Sequence, residues 1–210
     1  MGEMHPLTQA IIDGDKVAAV EQTQRCLDDG EEPSAIIEER LVPGMAVIGD
    51  QFQRDEIFVP EMLIAANAMK ASLAILEPLV AASGAKAPHS AVVGTVQGDL
   101  HDIGKNLVGM MWRGANIEII DLGVNVSPSA FAEAAQEHKP DLVGMSALLT
   151  TTMPHMKDAV AAVKATGVDT KIVIGGAPVS AEFAAEVQAD GFAEDAGAAV
   201  DIARELIGTA

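Results

Sequence analysis

The sequence predicts an α/β protein in which an N-terminal bundle of helices precedes a doubly wound, five-stranded parallel sheet. Three observations carry this. From residue 5 to about residue 82, apolar residues recur at helical spacing with short polar breaks between them. Beyond residue 88, short β-branched runs alternate with stretches of helical periodicity, a rhythm that implies parallel strands, right-handed crossovers and helices on both faces. Between the two, Ser83-Gly84-Ala85-Lys86-Ala87-Pro88 is small and aperiodic, as a linker is. The expected division is a helical domain over 1–84 and a sheet domain over 89–210, with the linker at about 83–88.

Taken in order, Thr8 and Gln9 lead into a short first helix at Ala10-Ile11-Ile12, stopped by Asp13-Gly14-Asp15. Asp15 is placed to cap a second helix with apolar positions Val17, Val20 and Leu27, ending at Asp29-Gly30. Pro33-Ser34 starts a third with Ile36, Ile37 and Leu41, and Pro43-Gly44 reads as a break or kink. Met45, Ile48 and Phe52 continue a helical face to Arg54-Asp55. Pro60 stands near the start of a long helix, Glu61 to Val80, with Met62, Ala65, Met69, Leu73 and Leu76 at three- and four-residue spacing. The expected strands are Ala91–Val96, Ile117–Leu122, Leu142–Ser146, Lys171–Ile174 and a weak one at Gly191-Phe192-Ala193. Helices are expected at about 103–114, 128–138, 153–166, 180–188 and 196–207.

Composition narrows the function. Of 210 residues 49% are apolar, enough for a sizeable core, but aromatics make up only 3%, with Trp112 the single tryptophan and no tyrosine. Ala, Val, Ile, Leu and ten Met must fill that core. Few aromatics leave little to stack nucleic-acid bases on, and a formal charge of −18 repels phosphate backbones. No nucleic-acid role is expected. Cys26 is the only cysteine, which excludes an internal disulfide and a thiolate zinc cluster. Met1 to Gln9 lacks the pattern of a signal peptide. No uninterrupted apolar run reaches about 18 residues, so no transmembrane helix and no membrane partner are expected. The expected location is the cytoplasm.

The chemistry concentrates in Gly94-Thr95-Val96-Gln97-Gly98-Asp99-Leu100-His101-Asp102-Ile103-Gly104-Lys105-Asn106. This is a strand, a tight loop and the start of a helix, with an imidazole at the strand's carboxyl end. In open α/β sheets ligands bind at that edge. Gly98 and Gly104 let the loop backbone approach a bulky ligand. Asp99, two residues before His101, can orient one ring nitrogen while the other faces a metal. No further His, Cys or carboxylate cluster nearby completes a zinc or iron site. A metal at His101 must bring most of its own ligands, which points to a macrocycle. The other strand ends agree: Ser146-Ala147-Leu148 is followed by Thr150, Thr151 and Thr152, and Gly175-Gly176 leaves a side-chain-free slot. Gly191 to Gly197 closes the fifth strand. Together they describe a groove along the carboxyl edge.

Gly98-Asp99-Leu100-His101-Asp102-Ile103-Gly104, then Ser146-Ala147-Leu148, then Gly175-Gly176, resembles the Asp-x-His-x-x-Gly … Ser-x-Leu … Gly-Gly signature of cobalamin-binding domains, whose sheet is Rossmann-like (flavodoxin-like). The helical part resembles the cap module of that family through Gly44-Met45, Ile48-Gly49, Phe52, Phe58-Val59-Pro60-Glu61-Met62-Leu63 and Ala68-Met69-Lys70. The likeness covers nearly the whole chain from about residue 10. The chain is similar to the stand-alone corrinoid proteins of methyltransferase systems and to the cap and cobalamin-binding parts of cobalamin-dependent methionine synthase.

The resemblance implies that His101 is the lower axial ligand to the cobalt of a cobalamin or related corrinoid, displacing the cofactor's own benzimidazole. Asp99 then hydrogen-bonds His101, and Thr152 takes the place of the hydroxyl residue, often serine, that completes the relay. Gly98, Leu100, Asp102, Ile103, Gly104 and Leu148 are implied to contact the cofactor, and its nucleotide tail to run past Ser146, Thr150, Gly175, Gly176 and Ala196. A side chain at Gly176 is expected to obstruct that slot while leaving the cofactor-free fold intact. Phe58, Met62 and Met69 are candidates for a lid over the corrin, although such a stripe also suits plain bundle core. The implied function is a methyl carrier. It accepts methyl on cobalt(I) from a substrate-specific methyltransferase and passes it from methylcobalt(III) to an acceptor methyltransferase, with tetrahydrofolate or a thiol coenzyme as acceptor. A reductive activase is a further implied partner, and the chain is a corrinoid-carrying subunit rather than a catalyst by itself.

Other readings fare worse. A phosphorelay receiver needs an Asp ending its third strand and a lysine at the fifth, where this chain has Ser146-Ala147 and Gly191 to Ala193. A dinucleotide site needs Gly-x-Gly-x-x-Gly at the first turn. A cobalamin-dependent mutase subunit lacks the helical cap. The remaining alternative is a cobalamin-binding sensor or regulatory module, which calls for an output domain; the helices from Met4 to Arg40 carry no basic recognition face.

Overall fold

Short capped helices open the chain. The structure, a computed structural model, describes residues 4–82 and 87–208; Ser83, Gly84, Ala85 and Lys86 of the expected linker lie outside the described residues. The chain divides into two units, one made of the residues before His89 with Gly114–Asn116, the other of His89–Arg113 with the residues from Ile117 onward.

The first unit contains α1 (Pro6–Ile12), α2 (Lys16–Asp28), α3 (Pro33–Ile36), a π-helical segment (Ile37–Leu41), α4 (Val42–Gln53) and α5 (Val59–Ala82). The first helix starts earlier than periodicity suggests, because Pro6 takes its first position and His5 caps it, Nδ1 accepting from the Leu7 N–H at 3.2 Å. Asp15 caps α2 as expected, its carboxylate accepting from the N–H groups of Val17 and Ala18, both at 3.0 Å.

The inward face of α2 includes the expected Val20 and Leu27, both half-buried, but not Val17. Ala19, Thr23 and Cys26 are buried, whereas Val17 is 69% exposed. Thr23 Oγ1 donates to the Ala19 carbonyl at 2.8 Å, so its hydroxyl is satisfied and hydrophobicity alone does not find its place in the core. Pro43 does not break the helix either. The chain stays helical from Pro33 to Gln53, and the π turn just ahead widens the spiral where the proline ring would meet the preceding carbonyl.

In α5 the row Met62, Ala65, Met69, Leu73 and Leu76 is buried. Of the three lid candidates Met62 and Met69 are buried and Phe58 is exposed, at 64%. Although no uninterrupted apolar run in the sequence reaches that length, Val59–Val80 is long and apolar enough, by length and composition only, to cross a membrane. The helix runs through Pro60, Lys70 and Glu77 without interruption, and those residues had broken the apolar run in sequence.

The second unit is a five-stranded, all-parallel sheet of order β2-β1-β3-β4-β5. The strands are β1 (His89–Thr95), β2 (Ile117–Asp121), β3 (Leu142–Ser146), β4 (Lys171–Gly175) and β5 (Gly191–Ala193), and the helices are α6 (Ile103–Gly114), α7 (Pro128–His138), α8 (Met153–Ala165), α9 (Ala181–Val187) and α10 (Ala196–Ile207). This is the doubly wound architecture that the alternation predicts. β1 begins two residues early: His89 and Ser90 pair with β2, and Asp141 accepts from the Ser90 N–H at 2.9 Å. On one face Val92, Val143, Met145, Ile172 and Ile174 pack with Phe131 of α7, Met156 and Val160 of α8 and Val187 of α9. On the other, Trp112 of α6 is fully buried and its Nε1 donates to the Ala199 carbonyl of α10 at 2.9 Å.

Register then aligns the strand ends. Thr95 pairs with Ser146, Ser146 with Gly175 and Gly175 with Ala193, a single row along the carboxyl edge. Strand order reverses direction between β1 and β3, and such a switch point leaves a crevice between the loops that follow the two strands.

Candidate functional site

The loop after β1 turns on Gly98, whose φ of +83° suits a residue without a side chain. Asp99 follows, completely buried. Its carboxylate gathers the loops after β1 and β3. Oδ1 accepts from the His101 N–H at 3.0 Å and lies 2.7 Å from His101 Nδ1. Oδ2 accepts from the N–H groups of Leu148 and Leu149 at 2.7 and 3.3 Å and lies 2.9 Å from Thr152 Oγ1. Burial by itself would push this carboxyl up. The hydrogen bonds from the His101 and Leu148 N–H groups, the His101 ring and the Thr152 hydroxyl outweigh it and hold Asp99 well below the usual carboxylate range.

Because the carboxylate is charged, Nδ1 of His101 is the donor in that short bond, which leaves the lone pair on Nε2. The His101 side chain is 52% exposed while its carboxylate partner is 0% exposed. One ring nitrogen is thus fixed inside the protein and the other is presented outward. Thr152 precedes α8 but does not cap it through its hydroxyl. That group is buried and lies 2.9 Å from Asp99 Oδ2 and 2.8 Å from the Leu149 carbonyl, so its single proton serves one acceptor at a time.

Around His101 stand large apolar side chains with little cover: Leu100 and Ile103 are 71% and 75% exposed, Leu148 and Leu149 43% and 42%. Asp102 and Gly104 are exposed beside them, and a Cβ at Gly104 would meet nothing within 4 Å. Apolar surface gathered at an imidazole is the mark of a ligand site. Along the row of strand ends, Ser146 and Gly175 are half-buried, Thr150 is exposed in the loop after β3, and Ala196 is buried in the first turn of α10. None of these four is among the hydrogen-bond partners of Asp99.

The expectation that a side chain at Gly176 leaves the cofactor-free fold intact is contradicted by the packing there. A Cβ on Gly176 would overlap the Ala147 carbonyl oxygen, its φ is +121°, and a Cβ on Gly175 would lie 2.7 Å from the Ala193 carbonyl oxygen. The missing side chains are required first by the packing of neighbouring strand ends.

Sequence alone does not single out Lys105, Asp121 and Asn125, whose hydrogen bonds brace the loop and the start of α6. Lys105 is buried, and its Nζ donates to Asp121 Oδ1 and Oδ2 at 2.7 and 2.6 Å and to Asn106 Oδ1 at 2.8 Å. Burial would raise the Asp121 carboxyl, but Lys105 and the Gly123 N–H bring it down. This pair ties the first turn of α6 to the end of β2. Asn125 accepts from the Gly98 N–H at 2.8 Å through its side chain, and its own N–H donates to the Asp99 carbonyl at 3.0 Å.

Comparison with known proteins agrees with this geometry. Family models described as B12 binding domains match residues 89–202 and residues 4–77. The chain belongs to the B12-binding family. It is 40% identical over 213 residues to a corrinoid protein of Desulfitobacterium hafniense, covering 99% of each chain. It is also 40% identical over 211 residues to the dimethylamine corrinoid protein of Methanosarcina barkeri, covering 97% of each. Among solved structures, the crystal structure of the methanol:cobalamin methyltransferase complex from Methanosarcina barkeri matches with a TM-score of 0.85 and 29% identity, over 99% of this chain and 80% of that one.

A corrinoid is thus the cofactor, and the residues present fit one. The site offers a single outward nitrogen donor, an apolar surround and open space at Gly104, which suits a metal that carries its own equatorial ligands and does not suit a bare ion.

Proposed function

We propose that the chain is a corrinoid methyl carrier, serving between a methyltransferase that demethylates a donor and one that methylates an acceptor. The observation that carries this reading is the buried Asp99 clamped to Nδ1 of a half-exposed His101 at 2.7 Å. The names of its relatives, dimethylamine corrinoid protein among them, support the carrier role, and the likeness to a chain of a methyltransferase complex supports methyltransferase partners. A reductive activase as further partner and a cytoplasmic location belong to the same proposal, as does the division into a helical part over 1–84 and a cobalamin-binding part from 89.

When bound, the corrinoid supplies a cobalt centre able to take up and release a methyl group. The residues of the chain do the rest. His101 would hold the cobalt through Nε2. Asp99 holds the Nδ1 proton and so keeps the ring in the tautomer and orientation that present Nε2. Thr152 and the Leu148 and Leu149 N–H groups keep Asp99 ionised, which strengthens the imidazole as a donor. Leu100, Ile103, Leu148 and Leu149 give the macrocycle an apolar surface and limit water around the imidazole. Gly98, Asp102, Gly104, Ser146, Thr150, Gly175, Gly176 and Ala196 form the bed for the rest of the cofactor.

Electron paramagnetic resonance of the cobalt(II) protein carrying nitrogen-15 histidine tests the assignment. Coupling to one histidine nitrogen is expected, and its loss in His101→Ala with corrinoid still bound. A spectrum showing the cofactor's own base as lower ligand overturns it.

A further inference from the structure

Away from the sheet, three side chains of the helical unit converge: His5 ahead of α1, Cys26 near the end of α2 and Glu31 in the loop beyond it. One ligand atom from each lies within 4.8 Å of the other two. The arrangement is held by backbone. The Glu31 N–H donates to the Cys26 carbonyl and the Gly30 N–H to the Leu27 carbonyl, both at 3.0 Å, folding the chain back over the last turn of α2. His5 is anchored as the cap of α1, and Arg40 meets Glu31 at Oε2 at 3.3 Å. His5 and Arg40 also line a cleft of about 740 Å³ together with Met4, Thr8, Pro43 and Val47.

We propose that His5, Cys26 and Glu31 form a site for a divalent cation of the zinc class, with a fourth position left to a small ligand entering from the cleft. Imidazole, thiolate and carboxylate are the ligand types zinc takes, and three protein ligands with one open position mark zinc sites that exchange a ligand. A tetrahedral zinc with bonds of about 2.0–2.3 Å holds its ligand atoms within roughly 4 Å of one another. The triad therefore closes onto the ion by side-chain adjustment of less than about an ångström at its widest. Arg40 approaches Glu31 at one carboxylate oxygen, so the pair can persist while the other oxygen turns to the ion.

Without a cation, burial first and then the hydrogen bond and charge of Glu31 push the Cys26 thiol up to about 11. Binding displaces its proton, as thiolate ligation requires. Binding also competes with the helix cap, since Nδ1 of His5 already accepts from Leu7. The site is independent of the corrinoid reading.

The test titrates the whole chain, free of corrinoid, with zinc against a chromophoric chelator. One zinc per chain is expected, and His5→Gln and Cys26→Ser are each expected to lower affinity by at least about tenfold, with circular dichroism reporting that they remain folded. Cobalt(II) in place of zinc should give a thiolate-to-metal absorption band in the wild type and none in Cys26→Ser. Should Cys26→Ser unfold, His5→Gln and the wild-type cobalt(II) band decide the matter. Equal zinc affinity in wild type and His5→Gln, or a cobalt(II) spectrum without a thiolate band, overturns the proposal. Corrinoid uptake by the same preparations is measured separately and stays unchanged, so loss of one reading does not pass for loss of the other.

Discussion

Two glycine-bearing loops meet at the same edge of the sheet and answer to different demands. The loop after β1 is held by side-chain chemistry, with Asp99 accepting from both chain segments beside it, and it leaves free space next to Gly104. The loop after β4 is held by backbone fit, with Gly175 and Gly176 pressed against the carbonyls of Ala193 and Ala147. In sequence both read as glycines beside a ligand. Space around Gly104 is left for something outside the protein, whereas the absence of side chains at Gly175 and Gly176 is needed by the sheet before any ligand arrives.

The contrast is most easily broken at Gly176. Gly176→Ala should destabilise the corrinoid-free protein by about 3–5 kcal/mol, from a strained φ and a clash with backbone that has no side chain to move aside. Urea denaturation monitored by circular dichroism measures it. Stability equal to wild type would mean that the strand ends relax and that only the ligand needs the glycine.

Asp99→Asn attacks the other loop. The shape is kept, but donors that faced a carboxylate now face an amide, at a cost of about 1–3 kcal/mol. The pH dependence sharpens the point. The Asp99 carboxyl is held below its ordinary value in the folded state, so its stabilisation is fully present above the unfolded pKa of about 3.9. It is lost as pH falls through the folded value. Wild-type unfolding free energy should drop more steeply below about pH 4 than that of Asp99→Asn. Parallel curves from pH 7 to pH 3 would show that Asp99 shapes the loop without its charge.

The smallest effect on stability is expected at Gly104. Gly104→Ala adds a methyl to open space in a helix and removes a flexible residue, so the corrinoid-free protein should gain up to about 1 kcal/mol. Corrinoid affinity, followed by quenching of Trp112 fluorescence or by retention of the coloured cofactor on gel filtration, should fall. A variant that is more stable and binds as well as wild type would place the ligand clear of the first turn of α6.

Much of the site was legible because its chemistry is local. Asp99 and His101 are two residues apart and their bond closes inside one turn. The strands after Ile117 and Leu142 showed themselves as β-branched runs between polar breaks, and Asp15 announced its cap. Other features need partners distant in sequence. Lys105 gave no sign of its role until Asp121 came opposite it, and Asn125 none until it reached back to Gly98. On α2 the sequence favoured Val17 for the core, yet the structure buries Thr23 and exposes Val17, because a hydroxyl that bonds its own helix tolerates burial.

The sequence by itself determined the order of elements, the parallel sheet, the loop that carries His101 and the family to which these belong, since periodicity, turn residues and short spacings are properties of neighbours along the chain. Tertiary structure alone decided that β1 and β3 lie side by side, so that the Leu148, Leu149 and Thr152 donors close on Asp99, and that a side chain at Gly176 would meet the Ala147 carbonyl. It also decided that His5 meets Cys26 and Glu31. Each of these is a contact between segments whose separation along the chain carries no signal, and it is set only when buried strands fix their register and helices settle their packing.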